Sequence, residues 1–343
     1  MFPPVSRADG GGYPRGARVV EPLAEADDPD ARDDGVGDGG STMTVRARGI
    51  ALAVALGGIG LGAVVAPAAV AAPGQSAPGD WAAADSAPIR PGVVTDTEGG
   101  GSCTSNFVFT SGDRTFIGQA AHCAGTGDAT ETDGCDSGTG GIGTPVTIRA
   151  ADGSDRTGRL AYSSWVTMQE NGESDPDVCA YNDFALVEIA AEDVADVNPS
   201  IPFFGGPTGI DRDGVAPGEL VYSYGNSPLR LGISALSPKV GINATEEGAG
   251  MSHEVYTLTP GVPGDSGSAF VDGSGSAIGV LSTLNLAPLP VSNGVIDLAT
   301  ALDYAGTYGD VGDVELATGT EPFDPSPTGV PAETLAVPTL PAG

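Results

Sequence analysis

Short runs of apolar or alternating residues, separated by glycine-rich turns, fill the middle of the chain. The segments 106–109 and 114–118 flank the Ser-Gly-Asp turn 111–113, and 269–271 and 277–281 flank a second turn of the same kind. Paired runs around such turns are typical of β-hairpins. Many short strands at regular spacing, with little helical periodicity, predict an all-β barrel or sandwich.

Two segments depart from this strand pattern. In 295–304 the apolar positions lie close to helical spacing and predict a helix; they are Ile296, Leu298, Ala299 and Leu302, followed by Ala305. The stretch 169–177 is polar and acidic. We predict that it forms a loop.

Residues 43–71 show the three regions of a secretory signal peptide. A basic start at 43–48 is followed by the apolar run 49–65, and Ala-Val-Ala at 69–71 supplies a small-x-small cleavage site. A membrane-spanning anchor is the competing interpretation, since an apolar run of about 17 residues could cross a bilayer. The Gly/Ala-rich composition and the cleavage site favour the signal peptide, and therefore a secreted, extracellular protein.

The remaining chain divides by composition. Residues 1–42 are rich in Gly, Asp and Ala without periodicity, and we interpret them as a non-native or disordered extension upstream of a translation start at Met43. Residues 72–88 read as a linker or short propeptide, and 89–309 as the folded domain. The Pro-rich, acidic stretch 310–343 is predicted to be a disordered tail.

Charge narrows the range of partners. The chain carries a formal net charge of −31 at pH 7 and contains a single lysine, Lys239. Acidic residues also outnumber basic ones within 89–309. This excess argues against nucleic acid or an anionic membrane as a partner, because both are polyanions. We expect neither to bind once the signal peptide is removed.

Four cysteines follow the signal peptide: Cys103, Cys123, Cys135 and Cys179. An even number of cysteines in an exported chain indicates disulfides, and four cysteines allow three pairings. A zinc site is the competing interpretation, but no Cys-x-x-Cys spacing supports it. We expect no metal and no cofactor.

The segment 259–270 carries residues that acyl transfer requires. It contains the sequence Gly264-Asp-Ser266-Gly, and a serine hydroxyl becomes a nucleophile only with a base beside it. The backbone N–H groups of Gly264 and Ser266 could hold the oxyanion of a tetrahedral intermediate. We predict that Ser266 is the nucleophile.

Only two histidines, His122 and His253, could serve as the base. His122 follows a predicted strand, within Ala-Ala-His-Cys. A buried acid should orient its imidazole, and Asp183 stands at the head of a strand-like apolar run. Asp175 and Asp177 are weaker alternatives. We predict a catalytic set of Ser266, His122 and Asp183.

These motifs resemble those of the chymotrypsin-like (trypsin-fold) serine peptidases, in their bacterial secreted form. Ala-Ala-His-Cys, Asn-Asp-Phe-Ala-Leu and Gly-Asp-Ser-Gly occur in the family's order of His, Asp and Ser, over roughly residues 89–305. The resemblance implies two packed six-stranded antiparallel β-barrels with a C-terminal helix. It also implies a secreted endopeptidase that acts on peptide or protein substrates, and we expect a monomer.

The resemblance further implies two structural pairings. In the family the cysteine beside the catalytic histidine bonds to one about twenty residues upstream, which pairs Cys103 with Cys123 and leaves Cys135 for Cys179. In animal members the aspartate equivalent to Asp265 binds a newly freed N-terminus. No matching N-terminal sequence exists here, so we expect Asp265 to pair internally, with an arginine such as Arg230.

The resemblance also implies a substrate preference. The wall of the S1 pocket, which holds the P1 side chain before the scissile bond, should be Ser282, Thr283 and Leu284. Leu284 replaces a glycine and would narrow that pocket, which favours small or medium apolar P1 residues. His253 is a rival clue, because glutamate-specific relatives use a histidine there.

Two other functions fit parts of the sequence. A catalytically silent member of the fold could act as a binding module, although the complete set His122, Asp183 and Ser266 argues against it. An esterase on the same fold is a weaker interpretation.

Overall fold

Fifteen β-strands and three α-helices are present within the residues that the computed structural model describes, which are 20–22, 79–128, 130–285 and 290–326. The strands are β1 (Val20–Pro22), β2 (Val94–Thr97), β3 (Ser102–Thr104), β4 (Val108–Ser111), β5 (Arg114–Gln119), β6 (Pro145–Arg149), β7 (Asp155–Ser163), β8 (Ala185–Ile189), β9 (Leu220–Tyr224), β10 (Pro238–Glu247), β11 (Ser252–Thr257), β12 (Ala269–Asp272), β13 (Ala277–Asn285), β14 (Ser292–Asp297) and β15 (Glu315–Leu316). The helices are α1 (Ser164–Asn171), α2 (Pro176–Tyr181) and α3 (Leu298–Tyr308). The predicted signal peptide 43–71 lies outside the described residues, as does most of 1–42.

The C-terminal half is a closed barrel of six antiparallel strands. Its order is β13-β12-β9-β10-β11-β14, and pairing of β14 with β13 closes it. The interior is filled by buried apolar side chains that alternate with outward-facing ones along the strands; they include Val221, Val255, Phe270, Ile278, Leu281 and Val295. β1 pairs with the outer part of β13.

The N-terminal half is a sheet of eight antiparallel strands in the order β15-β4-β5-β8-β7-β6-β2-β3. Its core includes Val108, Ile117, Ile148, Leu160 and Val187. The prediction of an all-β fold with two packed β-units and a C-terminal helix is confirmed. The N-terminal half has eight strands where six were expected. One of them, β15, comes from the chain after the C-terminal helix α3.

The two halves share one apolar cluster. Phe109 and Phe184 of the N-terminal half belong to the same buried cluster as Tyr222, Val271 and Leu298 of the C-terminal half. Phe109 and Phe184 pack edge to face with their ring centroids 5.6 Å apart. Aromatic pairs of this geometry add to the free energy of burial. Buried apolar side chains therefore join the two halves.

The C-terminal helix begins later than its periodicity predicts. Val295 and Ile296 belong to β14, and α3 starts at Leu298. The carboxylate of Asp297 accepts a hydrogen bond from the Thr300 N–H at 2.7 Å, which caps the first turn. The cap and the two β-branched residues explain why the strand gives way to the helix at this point.

The predicted acidic loop 169–177 is wrong in part. α1 extends to Asn171, and Gly172 ends it with a φ of 65°. α2 begins at Pro176, and the Asp175 side chain accepts hydrogen bonds from the N–H groups of Asp177 and Val178. Both helices are short, so their apolar spacing is too brief to read from sequence.

The predicted disordered tail 310–343 is also wrong for its first part. β15 pairs with β4, and Phe323 packs on Tyr222 with ring centroids 5.5 Å apart. Thr320 accepts a hydrogen bond from the Asn198 side chain at 2.9 Å. The apolar residues of this C-terminal segment are too widely spaced to form a periodic pattern that sequence analysis could detect. Residues 327–343 lie outside the described part.

The predicted linker 72–88 is likewise packed over its described residues. The Ala82 N–H donates to the Val197 carbonyl at 2.9 Å, and the Ala87 side chain is buried. The folded domain thus begins before residue 89.

Among the described residues, no helix combines the length and the apolar character that crossing a bilayer requires.

We predict that Phe323→Ala lowers the free energy of unfolding by about 1–2 kcal/mol, because a half-buried aromatic side chain loses its apolar contacts. Urea denaturation of the full chain measures this. Leu231→Ala is the matched control, since Leu231 is 85% exposed and its loss should change stability by no more than about 0.5 kcal/mol. Equal effects of the two substitutions would contradict the packed tail.

Candidate active site

His122 is carried by a rigid segment at the end of β5. A 3-10 helix, Ala121–Ala124, follows that strand and holds the histidine in its first turn. A disulfide between Cys103 and Cys123 ties this helix to β3, as the resemblance implies. The imidazole therefore projects from a backbone that is fixed on both sides.

The second disulfide joins Cys135 to Cys179. It fixes α2, which ends two residues before Asp183. Because both pairs of sulfurs are used in disulfides, the alternative zinc interpretation is wrong for these four cysteines.

His122 and Asp183 form a buried pair that is joined by two hydrogen bonds. The imidazole Nδ1 lies 2.6 Å from Asp183 Oδ2, and the backbone N–H of His122 donates to Oδ1 at 2.8 Å. A third donor comes from the other half of the molecule, since Ser282 Oγ donates to Oδ2 at 2.6 Å. The side chains of His122 and Asp183 are only 6% and 7% exposed.

These contacts set the charge of Asp183. Burial by itself would raise the pKa of this carboxyl, but attraction to His122 and the hydrogen bonds from His122 and Ser282 outweigh it and lower the pKa. Asp183 therefore stays ionised and can only accept hydrogen bonds. The proton between it and the imidazole must belong to His122 Nδ1.

When the imidazole is neutral, a proton on Nδ1 leaves the other ring nitrogen, Nε2, as an acceptor. His122 Nε2 is buried and has no hydrogen-bond partner among the described residues. The Trp165 ring packs beside the imidazole, with centroids 6.5 Å apart. A neutral imidazole with a fixed Nδ1–H and an unused Nε2 is a general base in structural terms.

The segment before Ser266 forms a tight turn over 262–265. The Asp265 N–H donates to the Val262 carbonyl at 2.9 Å, and Gly264 has a φ of 89°. A positive φ at the third position defines a type II turn and favours glycine. A Cβ at Gly264 would also lie 2.8 Å from Pro228 Cδ. Glycine is required here by both conformation and space.

Hydrogen bonds fix the orientation of the Gly264 peptide. Thr104 Oγ1 donates to the Gly264 carbonyl at 2.7 Å, so that carbonyl is engaged with the N-terminal half. Within the part of the chain that the structure describes, the Gly264 N–H donates to no acceptor. A fixed backbone donor of this kind is what an oxyanion site needs.

The structure brings the Ser266 segment against the segments that hold His122 and Asp183. The Ser266 carbonyl accepts from the Thr104 N–H at 2.8 Å, and the Gly267 N–H donates to the Leu281 carbonyl at 2.7 Å. A Cβ at Gly267 would lie 3.1 Å from the Ala120 nitrogen. The Ser266 loop therefore packs between the segment that precedes His122 and strand β13, which carries Ser282.

A buried ion cluster lies behind this loop. Asp265 pairs with Arg230, which confirms the predicted partner, and with Lys239 Nζ at 3.1 Å. It also accepts hydrogen bonds from the N–H groups of Ser227 at 3.0 Å and Val262 at 3.2 Å. Sequence reasoning missed Lys239.

The cluster shifts the pKa values of its members. Burial would raise the pKa of Asp265, but the charges of Lys239 and Arg230 outweigh burial and lower it. Burial lowers the pKa of Lys239 to about 8, with attraction to Asp265 opposing the shift and repulsion from Arg230 adding to it. Asp265 is thus an obligate anion between two cations.

The predicted substrate wall is only partly as expected. Ser282 is directed at Asp183, and Leu284 packs on the interior cluster of the C-terminal barrel. Sequence reasoning did not identify Asn293, which contacts both the segment before the nucleophile loop and the predicted substrate wall. Its Nδ2 donates to the carbonyls of Gly261 and Thr283 at 3.2 and 3.1 Å, and its Oδ1 accepts from the Gly261 N–H at 2.7 Å.

His253 does not join the site. It lies on β11 with its side chain buried, and its Nε2 is 3.5 Å from Asp297 Oδ2. It is not among the residues that line a cavity of about 200 Å³ next to Ser282 and Tyr181. The sequence placed it in a polar turn, whereas the strand turns it towards the barrel interior.

Solved structures similar in fold to this chain include bacterial proteases of the chymotrypsin-like class. Thermobifida fusca protease A is 19% identical over 67% of this chain and 99% of its own, with a TM-score of 0.41. Cellulomonas bogoriensis chymotrypsin is 16% identical over 67% and 98%, with a TM-score of 0.39. A glutamic-acid-specific serine protease is 17% identical over 67% and 100%, also at 0.39. No protein-family model and no curated protein sequence matches the chain.

We predict that Asp265→Asn lowers the free energy of unfolding by about 3–5 kcal/mol at pH 7, because it leaves two buried cations without an anion. Asp303→Asn is the matched control: it breaks an exposed pair with Arg212, worth no more than about 1 kcal/mol. Urea denaturation measures both. A loss for Asp265→Asn no larger than that of the control would contradict the buried cluster.

Acid should destabilise the fold in a defined direction. Asp183 and Asp265 have pKa values below the ordinary 3.8, so below about pH 5 the unfolded chain binds more protons than the folded one. We predict that the free energy of unfolding falls as the pH is lowered through this range. Urea titrations between pH 3 and 7 test it, and a stability that rises towards pH 3 would contradict these pKa shifts.

Proposed function

We propose that the protein is a secreted serine endopeptidase whose nucleophile, base and orienting acid are Ser266, His122 and Asp183. The observation that carries this proposal is the buried pair of His122 Nδ1 and Asp183 Oδ2 at 2.6 Å, which leaves Nε2 as the base. The turn over 262–265 supports it, because that turn presents a fixed backbone donor beside Ser266.

The reaction follows from these positions. Ser266 Oγ attacks the scissile carbonyl while His122 Nε2 takes its proton, and Asp183 stabilises the imidazolium that forms. The imidazolium then protonates the leaving amine, which breaks the C–N bond and leaves an acyl group on Ser266. Water, deprotonated by His122, hydrolyses that ester and restores the serine.

The negative charge on the carbonyl oxygen needs fixed donors. The backbone N–H groups of Gly264 and Ser266 fill this role in the proposal. Loss of one such donor in comparable enzymes slows turnover by about 10²–10³-fold. The Asp265 cluster supports the turn from behind, so Arg230 and Lys239 act as positioning residues and not as catalytic ones.

The P1 pocket is proposed to be small. Ser282, Thr283 and Leu284 contribute the strand on one side, and Asn293 is fixed between Gly261 and Thr283 by three hydrogen bonds. A buried side chain that is bonded on both sides occupies space that a long P1 residue would need. We therefore propose small apolar P1 residues.

The cellular setting is proposed from the disulfides. Two disulfides in a domain of this size fit an oxidising, extracellular compartment. Export would depend on residues 43–71 as a signal peptide. The substrate is proposed to be a peptide or protein that binds a monomer.

The test is covalent labelling of the full chain, produced by secretion, with a fluorophosphonate. We predict that the label maps to Ser266, that Ser266→Ala abolishes it, and that His122→Ala slows it by about 10²–10⁴-fold, because the general base is gone. Ser274→Ala is the matched control, since Ser274 lies in the exposed turn after β12.

Retention of both disulfides and of cooperative unfolding shows that each variant is folded. Absence of label on Ser266 in the folded wild-type chain would overturn the peptidase proposal and favour a catalytically silent binding module.

A further inference from the structure

A cavity lies beside Ser282, the residue that donates a hydrogen bond to Asp183. Its volume is about 200 Å³, and both halves of the molecule line it. Ala180 and Tyr181 come from the N-terminal half, while Ser282, Thr283 and Glu254 come from the C-terminal half. One water molecule takes up about 30 Å³ in the liquid. The cavity is therefore large enough for several water molecules or for one long side chain.

The cavity is separate from the proposed P1 pocket. Consecutive residues of a strand point to opposite faces. On β14 the Asn293 side chain faces Gly261 in the nucleophile loop, whereas Gly294 faces the Thr283 hydroxyl and lines the cavity. A side chain bound here would therefore belong to a different substrate residue from P1.

Glu254 gives the cavity its chemistry. The residue is only 5% exposed, and its carboxylate accepts hydrogen bonds from neutral groups: Asn285 Nδ2 at 2.6 Å to each oxygen and Ser292 Oγ at 2.7 Å to Oε2. No Lys, Arg or His of the described chain pairs with it. Oε1 has a single partner, so it can accept a further donor.

This arrangement contrasts with the other buried carboxylates. Asp183 faces His122, and Asp265 faces Arg230 and Lys239. A buried carboxylate without a cation is costly to desolvate. Among the described residues no basic side chain lines the cavity, and Tyr181 beside it donates to another acid, Glu247.

We propose that this cavity is a specificity subsite in which Glu254 binds a positively charged substrate side chain, lysine or arginine, at a position other than P1. The inference rests on the proposed peptidase function and deepens it. The ammonium or guanidinium group would donate to Glu254 Oε1, and the aliphatic part of the side chain would lie against Ile296 and Ala180. Charged side chains commonly bind in this manner, with the stem on apolar surface.

The experiment uses internally quenched peptides that differ at one position, with lysine, arginine or the neutral isostere norleucine placed at each site around the scissile bond. We expect kcat/KM to be about 10- to 100-fold higher for the cationic peptide at one site other than P1, the range of a hydrogen bond to a charged group. Raising the ionic strength should leave most of this preference, because a buried pair is poorly screened.

Glu254→Gln should reduce the ratio of lysine to norleucine to about 1, and leave kcat/KM for the norleucine peptide within about 2-fold. Glu246→Gln is the matched control: it removes the same charge from a neighbouring, exposed position and should keep the preference. If Glu254→Gln fails to fold, Glu254→Asp serves instead, with a reduced preference at the same site.

An unchanged preference in Glu254→Gln, a cation preference at P1 alone, or no preference at any site would overturn this subsite. These outcomes are distinct from failure of the peptidase proposal, in which wild-type chain cleaves no peptide and takes up no fluorophosphonate.

Discussion

A carboxylate shielded from water needs hydrogen-bond donors on every side, and Asp183 obtains them from both halves of the molecule. His122 supplies two from the N-terminal half, through its ring and its backbone N–H, and Ser282 supplies one from the C-terminal barrel. The Ser282 donor reaches Asp183 only when the halves pack on their shared apolar cluster. The same packing presses the loop around Ser266 against the approach to His122. Fold and candidate chemistry thus depend on one buried anion.

Among the described residues, three buried carboxylates line or support the cleft, and each has a different set of partners. Asp183 has three donors, one of which is the His122 imidazole, and Asp265 has two cations. Glu254 has only neutral donors. A buried charge is stable when its partners replace the lost water, so the first two are complete within the described chain. The third is the group whose electrostatic surroundings leave most to gain from a ligand.

The sequence predicted the parts that local patterns encode, and it missed those that depend on tertiary packing. Turns and alternation indicated the β-architecture, and motif chemistry placed His122 beside Asp183 and Asp265 beside Arg230. Lys239 and Asn293 could not be assigned, because nothing local distinguishes a buried polar residue from an exposed one on a strand. Ser282 was predicted as a pocket wall because its alignment gave position but not side-chain direction.

The most direct measurement of the central pair is the tautomer of His122, read by NMR with ¹⁵N-labelled histidine. The chain has only two histidines, and His122→Ala assigns the signals. A proton on Nδ1, shifted far downfield and slow to exchange, is the result that the 2.6 Å contact with Asp183 predicts. A neutral ring protonated on Nε2 alone, or no protected Nδ1 proton, would contradict the buried pair on which the proposed chemistry depends.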